Sequence, residues 1–128
     1  MTAFDPGDFL AVARRLLQER DEASARSSAS RAYYGVFLIA RRLAGLRNRS
    51  SEVHRLTAEY FLKQGDRSIA MELESLRHRR NDADYEIDWQ FSRRDSEAIL
   101  RRSLQLQEAL RAAAGRAKYR GLNAESNR

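Results

Sequence analysis

The sequence contains no cysteine, which excludes disulfides, thiolate chemistry and cysteine-bound zinc. Its two histidines, His54 and His78, are too few for a histidine-rich metal site, so we expect neither a metal nor a cofactor. Apolar runs of about eighteen residues, the length that spans a bilayer, do not occur, and no membrane partner is expected. The first residues carry Asp5 and Asp8 and lack the basic-then-apolar pattern of a secretion signal, which favours a cytoplasmic location.

Proline is also rare, since Pro6 is the only one, and the six glycines lie mostly between periodic segments. Apolar residues recur every three or four positions, and the strict alternation typical of strands is missing. The pattern predicts an all-α fold, an up-and-down bundle of four to five helices in a single domain. We expect the bundle to cover residues 1–117 and a flexible basic tail to cover residues 118–128. The predicted helices cover residues 6–20, 22–44, 52–63, 68–83 and 95–117.

Capping residues and glycine mark the predicted helix ends. Residue types that favour N-caps precede three of the helices: Asp5, Ser50 or Ser51, and Asp95 or Ser96. Gly65 is expected to take the left-handed conformation after the third helix. Residues 85–94 lose the helical period and are predicted to form an ordered loop that packs through Ile87, Trp89 and Phe91.

The basic residues are almost all arginine. There are 24 basic and 18 acidic residues, a formal net charge of +6, and only Lys63 and Lys118 are lysine. Guanidinium groups bind phosphates bidentately, so the composition suits an anionic partner. A coding sequence rich in G and C would produce the same preference for arginine, and composition leaves both interpretations open.

One arginine stands where the helical pattern expects an apolar residue. The apolar positions of the fourth helix follow one another in steps of three or four residues: Ile69, Leu73, Leu76 and Ala83. Arg80 occupies the remaining position of this stripe, and an unpaired buried charge would be costly. Arg80 is therefore either a helix-end arginine that reaches solvent, or a guanidinium held in a cleft with Arg77 and Asp84 on the same ridge.

The second helix carries polar side chains beside its apolar stripe. The stripe residues are Ala29, Tyr33, Val36, Phe37, Ala40 and Leu43. Ser30, Arg31 and Tyr34 border them. Tyrosines in bundle helices are usually core residues whose hydroxyl bonds to a neighbouring helix, and we expect this of Tyr33 and Tyr34. Arg31 and Tyr34 are also binding candidates, because they bring a guanidinium and a hydroxyl near the interior.

Three segments, SRAYYGVFLIARRLA, SEVHRLTAEYFLKQG and LRHRRNDADYE, together resemble the HEPN superfamily in order and spacing. The resemblance covers about residues 8–110 and is nearest to small prokaryotic members whose fourth helix ends in an arginine followed by Ala-Asp-Tyr. It implies a bundle of four or five helices, a homodimer and, in many members, a metal-independent RNA-cleaving groove. It also implies a minimal nucleotidyltransferase as partner, in a toxin–antitoxin pair. Other members are inactive binding or scaffolding modules.

The resemblance places the motif arginine on Arg80, with Asn81 beside it, whereas the motif histidine has no counterpart. Tyr85, Glu86 and Ile87 occupy its expected positions, and Asp84 with Tyr85 matches the Ala-Asp-Tyr variant. The candidate catalytic residues are therefore Arg80, Asp84 and Tyr85. The candidate binding residues are Arg77, Asn81, Arg31, Tyr34 and His54.

Metal-free RNA cleavage needs a base for the 2′-hydroxyl proton, an acid for the leaving oxygen and a cation for the phosphorane charge. Arg80 can supply the cation. Asp84 lies beside arginines, which disfavour its protonation, and Tyr85 is a poor base that can donate a proton or stack on a nucleobase. His54 titrates in a suitable range, but the sequence does not place it near Arg80, and a histidine there is more often a helix-end residue. His78 is predicted to face solvent.

Three hypotheses remain open at this stage. The first is a HEPN-type homodimer that binds RNA or a nucleotide in an arginine-lined groove, as a toxin partnered by a nucleotidyltransferase. The second is a catalytically silent interaction module in which Arg80, Asp84 and Tyr85 form a buried polar network. The third makes Tyr85 a target for nucleotide transfer by the partner enzyme.

Overall fold

The computed structural model describes residues 3–47 and 49–119. Within these ranges it contains α1 (Asp8–Leu16), α2 (Glu22–Ala44), α3 (Val53–Lys63), α4 (Arg67–Tyr85) and α5 (Arg93–Ala114), and no strand. A further helical turn begins at Ala117. The prediction of an all-α helical bundle is confirmed. None of the described helices is long and apolar enough to cross a membrane.

Helix α2 lies at the centre of the bundle and packs against each of the other four helices. All of its predicted stripe residues are buried. A Cβ on Gly35 would lie 3.0 Å from the Cβ of Phe9 and 3.0 Å from the carbonyl oxygen of Pro6, so α1 begins directly against the α2 backbone. The buried Ser28 hydroxyl donates a hydrogen bond of 2.7 Å to the Ala13 carbonyl and joins the same two helices.

Helix α5 begins earlier than the sequence predicts. Its N-cap is Ser92, whose hydroxyl accepts a hydrogen bond of 3.0 Å from the Asp95 N–H. The Asp95 carboxylate accepts one of 2.9 Å from the Ser92 N–H in return, which completes a capping box. The prediction that Asp95 or Ser96 is the N-cap is wrong, because Asp95 is the third residue of the helix and Ser96 is buried.

Asp5 and Ser50, which were predicted to cap α1 and α3, accept hydrogen bonds from the N–H of the N-cap residue instead of occupying that position. Gly7 is the N-cap of α1, and the Asp5 carboxylate accepts a hydrogen bond of 2.9 Å from the Gly7 N–H instead of capping the helix itself. Glu52 is the N-cap of α3, and its N–H donates to the Ser50 hydroxyl over 3.3 Å. Gly65 has a φ of 86°, which confirms the left-handed conformation predicted after α3.

The inner face of α3 is partly polar. Val53 and Phe61 are buried, whereas Leu56 is only half-buried. Thr57 and Ala58 face the core in its place. The Thr57 hydroxyl is satisfied inside the helix, since it donates to the Val53 carbonyl over 2.7 Å.

The loop between α4 and α5 is ordered as predicted, but it packs through one residue instead of three. Phe91 is buried, whereas Ile87 and Trp89 are 81% and 58% exposed. The backbone of this loop is anchored from α2 by Arg26, whose side chain is only 14% exposed.

The Arg26 guanidinium caps the C-terminal end of α4. It donates to four backbone carbonyls, those of Asp82, Ala83, Glu86 and Trp89. It also pairs with Glu22 at 2.9 Å and lies 5.6 Å from the centre of the Phe91 ring. The last carbonyls of a helix have no partner within the helix, so this arrangement, which we call the Arg26 clamp, satisfies them and fixes where α4 ends.

The segment after α5 is anchored at the turn between α3 and α4. The Asp66 carboxylate pairs with Arg116 at 2.7 Å and with Lys118 at 3.3 Å, and it accepts a hydrogen bond from the hydroxyl of the buried Tyr119. We call this group the Asp66 corner. The prediction that residues 118–128 form a flexible tail is therefore wrong for Lys118 and Tyr119. Residues 120–128 lie outside the described part of the chain.

We expect the substitution Arg26→Ala to lower the free energy of unfolding by about 3 kcal/mol, because it removes the described donor to the Ala83 and Trp89 carbonyls and the partner of Glu22. Arg26→Lys should be almost as unstable, since one ammonium group cannot reach the same set of carbonyls. Urea unfolding measures both changes. Arg55→Ala is the control and should change the stability by less than about 0.5 kcal/mol, because Arg55 is exposed. An Arg26→Lys variant as stable as wild type would contradict the clamp.

Candidate functional site

Arg80 lies at the boundary between the core and the surface. Its side chain is 20% exposed, and its Nη1 lies 3.6 Å from Asp84 Oδ2, one turn further along α4. The guanidinium carbon lies 5.2 Å from the centre of the Tyr33 ring of α2, a cation–π distance. Arg80 is thus neither a free helix-end arginine nor a fully buried one, because its charge rests on an aromatic face and a carboxylate.

Helix α3 brings His54 into contact with the same tyrosine. The Tyr33 hydroxyl and His54 Nδ1 are 2.7 Å apart, within hydrogen-bond distance. The imidazole also stacks on Phe37, with ring centres 4.1 Å apart. His54 and Arg80 are far apart in the sequence, but Tyr33 contacts both of them.

The cluster is completed by a contact from α2 to the end of α4. The Ser30 hydroxyl donates to Asp84 Oδ2 over 3.2 Å. We call Arg80, Asp84, Ser30, Tyr33 and His54 the Arg80 cluster. It combines three helices around one cation, one carboxylate and one imidazole.

The surroundings keep His54 neutral. Burial, together with the positive charges of Arg80 and Arg77, lowers the pKa of His54 from 6.5 to about 4. At neutral pH the positive charge of the site therefore comes from the two arginines. A bound anion would oppose their effect and raise the pKa of His54.

Tyr33 can act only as a hydrogen-bonding group near neutral pH. Burial raises its pKa above the usual value of 10, although Arg80 and Arg77 act in the opposite direction. Its hydroxyl therefore keeps its proton beside His54. Which of the two side chains donates depends on the imidazole tautomer.

One nitrogen of Arg80 lacks an acceptor. Its Nε is buried and makes no hydrogen bond within the described part of the chain. Buried donors are nearly always satisfied in folded proteins, and a missing acceptor is often explained by a ligand or by water. The charge of Arg80 is thus only partly compensated by the Tyr33 ring and by an ion pair at 3.6 Å.

Two predicted binding residues form a separate group. The Arg31 guanidinium lies 4.9 Å from the centre of the Tyr34 ring and 5.5 Å from that of Phe9. Tyr34 is 36% exposed, so the expectation that it is a core tyrosine is wrong. Arg31 and Tyr34 therefore belong to the contact between α1 and α2, and no described contact joins them to Arg80.

The remaining candidates lie around the cluster. Arg77 acts on Tyr33 and His54 through its charge. Asn81 is half-buried and makes no described hydrogen bond to Arg80. Tyr85 is 70% exposed, so it is not part of a buried network. His78 is exposed, as predicted.

Sequence reasoning missed Arg26, although the signal that singled out Arg80 also applies to it. Arg26 lies three residues before Ala29 and seven before Tyr33, in register with the apolar stripe of α2. A charge in that register predicts a buried partner. The partners are backbone carbonyls, which a sequence does not distinguish from one another.

The described residues contain no group of three or more His, Asp or Glu side chains that could hold a metal ion. Compared with models of protein families, with curated proteins and with solved structures, the chain matches none of them.

The lowered pKa of His54 predicts a pH-dependent stability. Between about pH 6.5 and about pH 4 the unfolded chain binds a proton at His54 that the folded chain does not, so the free energy of unfolding should fall as the pH falls. Urea unfolding at a series of pH values measures this dependence. His54→Gln should reduce it, whereas His78→Gln, a change at an exposed histidine, should not. Equal slopes for wild type and His54→Gln would contradict the prediction.

Proposed function

We propose that this chain is a HEPN-like RNA-binding protein and that the Arg80 cluster binds an RNA phosphate. The observation that carries the proposal is Arg80 itself, an arginine in an apolar register whose side chain remains 20% exposed and whose charge is only partly compensated by the Tyr33 ring and Asp84. Guanidinium groups are well suited to phosphate oxygens, and Arg77 adds a second positive charge to the same surface.

The resemblance to the HEPN superfamily adds an oligomeric state and a partner protein to this proposal. The chain would form a homodimer whose groove unites two Arg80 clusters, and it would act as a toxin-like component with a minimal nucleotidyltransferase as its antitoxin. The high exposure of Tyr85 supports this residue as an acceptor of nucleotide transfer by that partner.

Metal-independent cleavage of the bound RNA has partial support from the cluster. Arg80 can stabilise charge on the phosphorane, and the neutral His54 can accept the 2′-hydroxyl proton. An imidazole with a pKa of about 4 is a weak base, but the phosphate itself would raise that pKa. Tyr33 keeps its own proton near neutral pH and only orients the imidazole through their hydrogen bond. Binding is thus supported more directly than cleavage.

A second candidate function is a silent interaction module in which the Arg80 cluster only stabilises the bundle. It is favoured by the low exposure of the Arg80 side chain, 20%, and by the contact from Ser30 to Asp84, which connects α2 to α4. In this case Arg80 would be a structural residue, and its replacement would not change the affinity of the folded protein for RNA.

RNA binding can be tested with purified protein and a structured RNA in a filter-binding assay. Arg80→Ala should weaken binding by about tenfold or more, and Arg77→Ala by several-fold. The control Arg111→Ala removes an exposed positive charge from α5 and should have little effect. The same samples, incubated with EDTA and resolved on a gel, show whether RNA is cut. Wild type and Arg80→Ala that bind RNA equally would overturn the proposal.

Stability separates the two candidate functions. Arg80→Met keeps an unbranched side chain against Tyr33 but removes the charge. If Arg80 serves phosphate binding, this variant should unfold within about 1 kcal/mol of wild type while losing RNA affinity. If the cluster is only structural, Arg80→Met should be destabilised by several kcal/mol and its remaining folded fraction should bind RNA normally. Denaturant unfolding and RNA binding on the same preparation decide between them.

A further inference from the structure

A second cationic site lies at the C-terminal end of α2, roughly two helical turns beyond Tyr33. Ala3, Phe4 and Pro6, the last turns of α2 and residues 45–47 line an open cavity of about 400 Å³, which we call the α2-end cavity. This volume is within the usual range for small-molecule sites. The cavity shares no lining residue with the Arg80 cluster.

The charges that line the α2-end cavity are of one sign. Arg41, Arg42 and Arg47 contribute to its wall, and none of its described lining residues is acidic. The cavity between α1 and α5 provides a comparison, because it combines three arginines with two carboxylates: Arg14, Arg15, Arg111, Asp5 and Asp8. Two of the three positive charges in that second cavity are matched by carboxylates, whereas none is matched by a described lining residue at the end of α2.

Two of the three arginines are held in place by backbone carbonyls. Arg41 Nε donates to the Leu46 carbonyl over 3.1 Å, and Arg42 Nη2 donates to the Phe4 carbonyl over 2.8 Å. A guanidinium has several further N–H donors, which these bonds leave available. Side chains that are already ordered lose less conformational entropy when a ligand binds.

The partial negative charge at the C-terminal end of α2 offsets only part of the positive charge of the three arginines. The C-terminus of α2 carries a partial negative charge equivalent to roughly half an electron, and arginines in the last turn offset it. Three full positive charges exceed that amount. Moreover, two carbonyls of the last turn, those of Arg41 and Arg42, already accept hydrogen bonds from the backbone N–H groups of Leu46 and Gly45. The excess positive charge therefore suits an anion.

The rest of the wall is apolar, which narrows the class of ligand. Phe4, Leu38 and Leu46 line the cavity beside the arginines. The Phe4 ring is 55% exposed and is supported from behind by Phe9, with ring centres 5.2 Å apart. An ion without an organic part would leave this apolar surface unused.

We propose that the α2-end cavity binds a small organic phosphate. The three guanidinium groups bind the phosphate oxygens, and the group esterified to the phosphate packs on Phe4 and the two leucines. A dianionic phosphate fits three arginines better than a single carboxylate does. This site is independent of RNA binding at Arg80.

Phenyl phosphate is a suitable probe, and amide chemical shifts in NMR titrations report where it binds. Saturable shifts at Phe4 and Leu46 are expected, with tighter binding than inorganic phosphate or phenol because both halves of the ligand are used. Arg47→Gln should weaken binding by about tenfold. Arg47 is exposed, so this variant should remain folded, and Arg42→Gln provides a second test. Inorganic phosphate that binds as tightly as phenyl phosphate would overturn the proposed ligand class.

Two controls locate the site. Arg15→Gln removes the same charge from the cavity that contains carboxylates, and it should leave phenyl phosphate binding unchanged. Arg80→Met should also leave it unchanged, even if that variant no longer binds RNA. A loss of binding in Arg80→Met together with normal binding in Arg47→Gln would reject the α2-end cavity while leaving the RNA-binding proposal intact. No saturable binding at all would reject the cavity as well.

Discussion

The arrangement of α4 depends on the Arg26 clamp. The C-terminal end of a helix carries partial negative charge, and Asp82 and Asp84 add two carboxylates to it. The last turn of α4 contains no basic residue of its own to compensate. Arg26 brings the missing positive charge and the missing donors from α2, and the loop carbonyls of Glu86 and Trp89 share them. This contact thus connects both the end of α4 and the following loop to α2.

The same face of α2 also positions the Arg80 cluster. Arg26, Ser30 and Tyr33 follow one another at helical spacing, and they contact the end of α4, Asp84 and Arg80 in that order. The contacts move backwards along α4 as they move forwards along α2, as expected for antiparallel helices. These contacts set the register between α2 and α4. As a result, the Arg80 guanidinium is held over the Tyr33 ring.

Helical periodicity was sufficient to predict the five helices and the buried stripe of α2, because burial on one face is a local pattern. It also identified Arg80, since a charge in an apolar register is visible in the sequence. The contacts that sequence could not provide are long-range. Arg26 meets carbonyls that any residue possesses, and His54 reaches Tyr33 only because α3 packs beside α2. Ile87 and Trp89 are exposed for a similar reason, since the loop is held by its backbone and not by these side chains.

The Asp66 corner has a consequence for how the protein is made. Arg116 and Tyr119 follow Asp66 by 50 and 53 residues, so they leave the ribosome later than the turn that they anchor. Until they emerge, the Asp66 carboxylate lacks these partners, and the ring of Phe61, which packs on Tyr119, is uncovered. This corner of the bundle therefore closes only once residues 116–119 have left the ribosome.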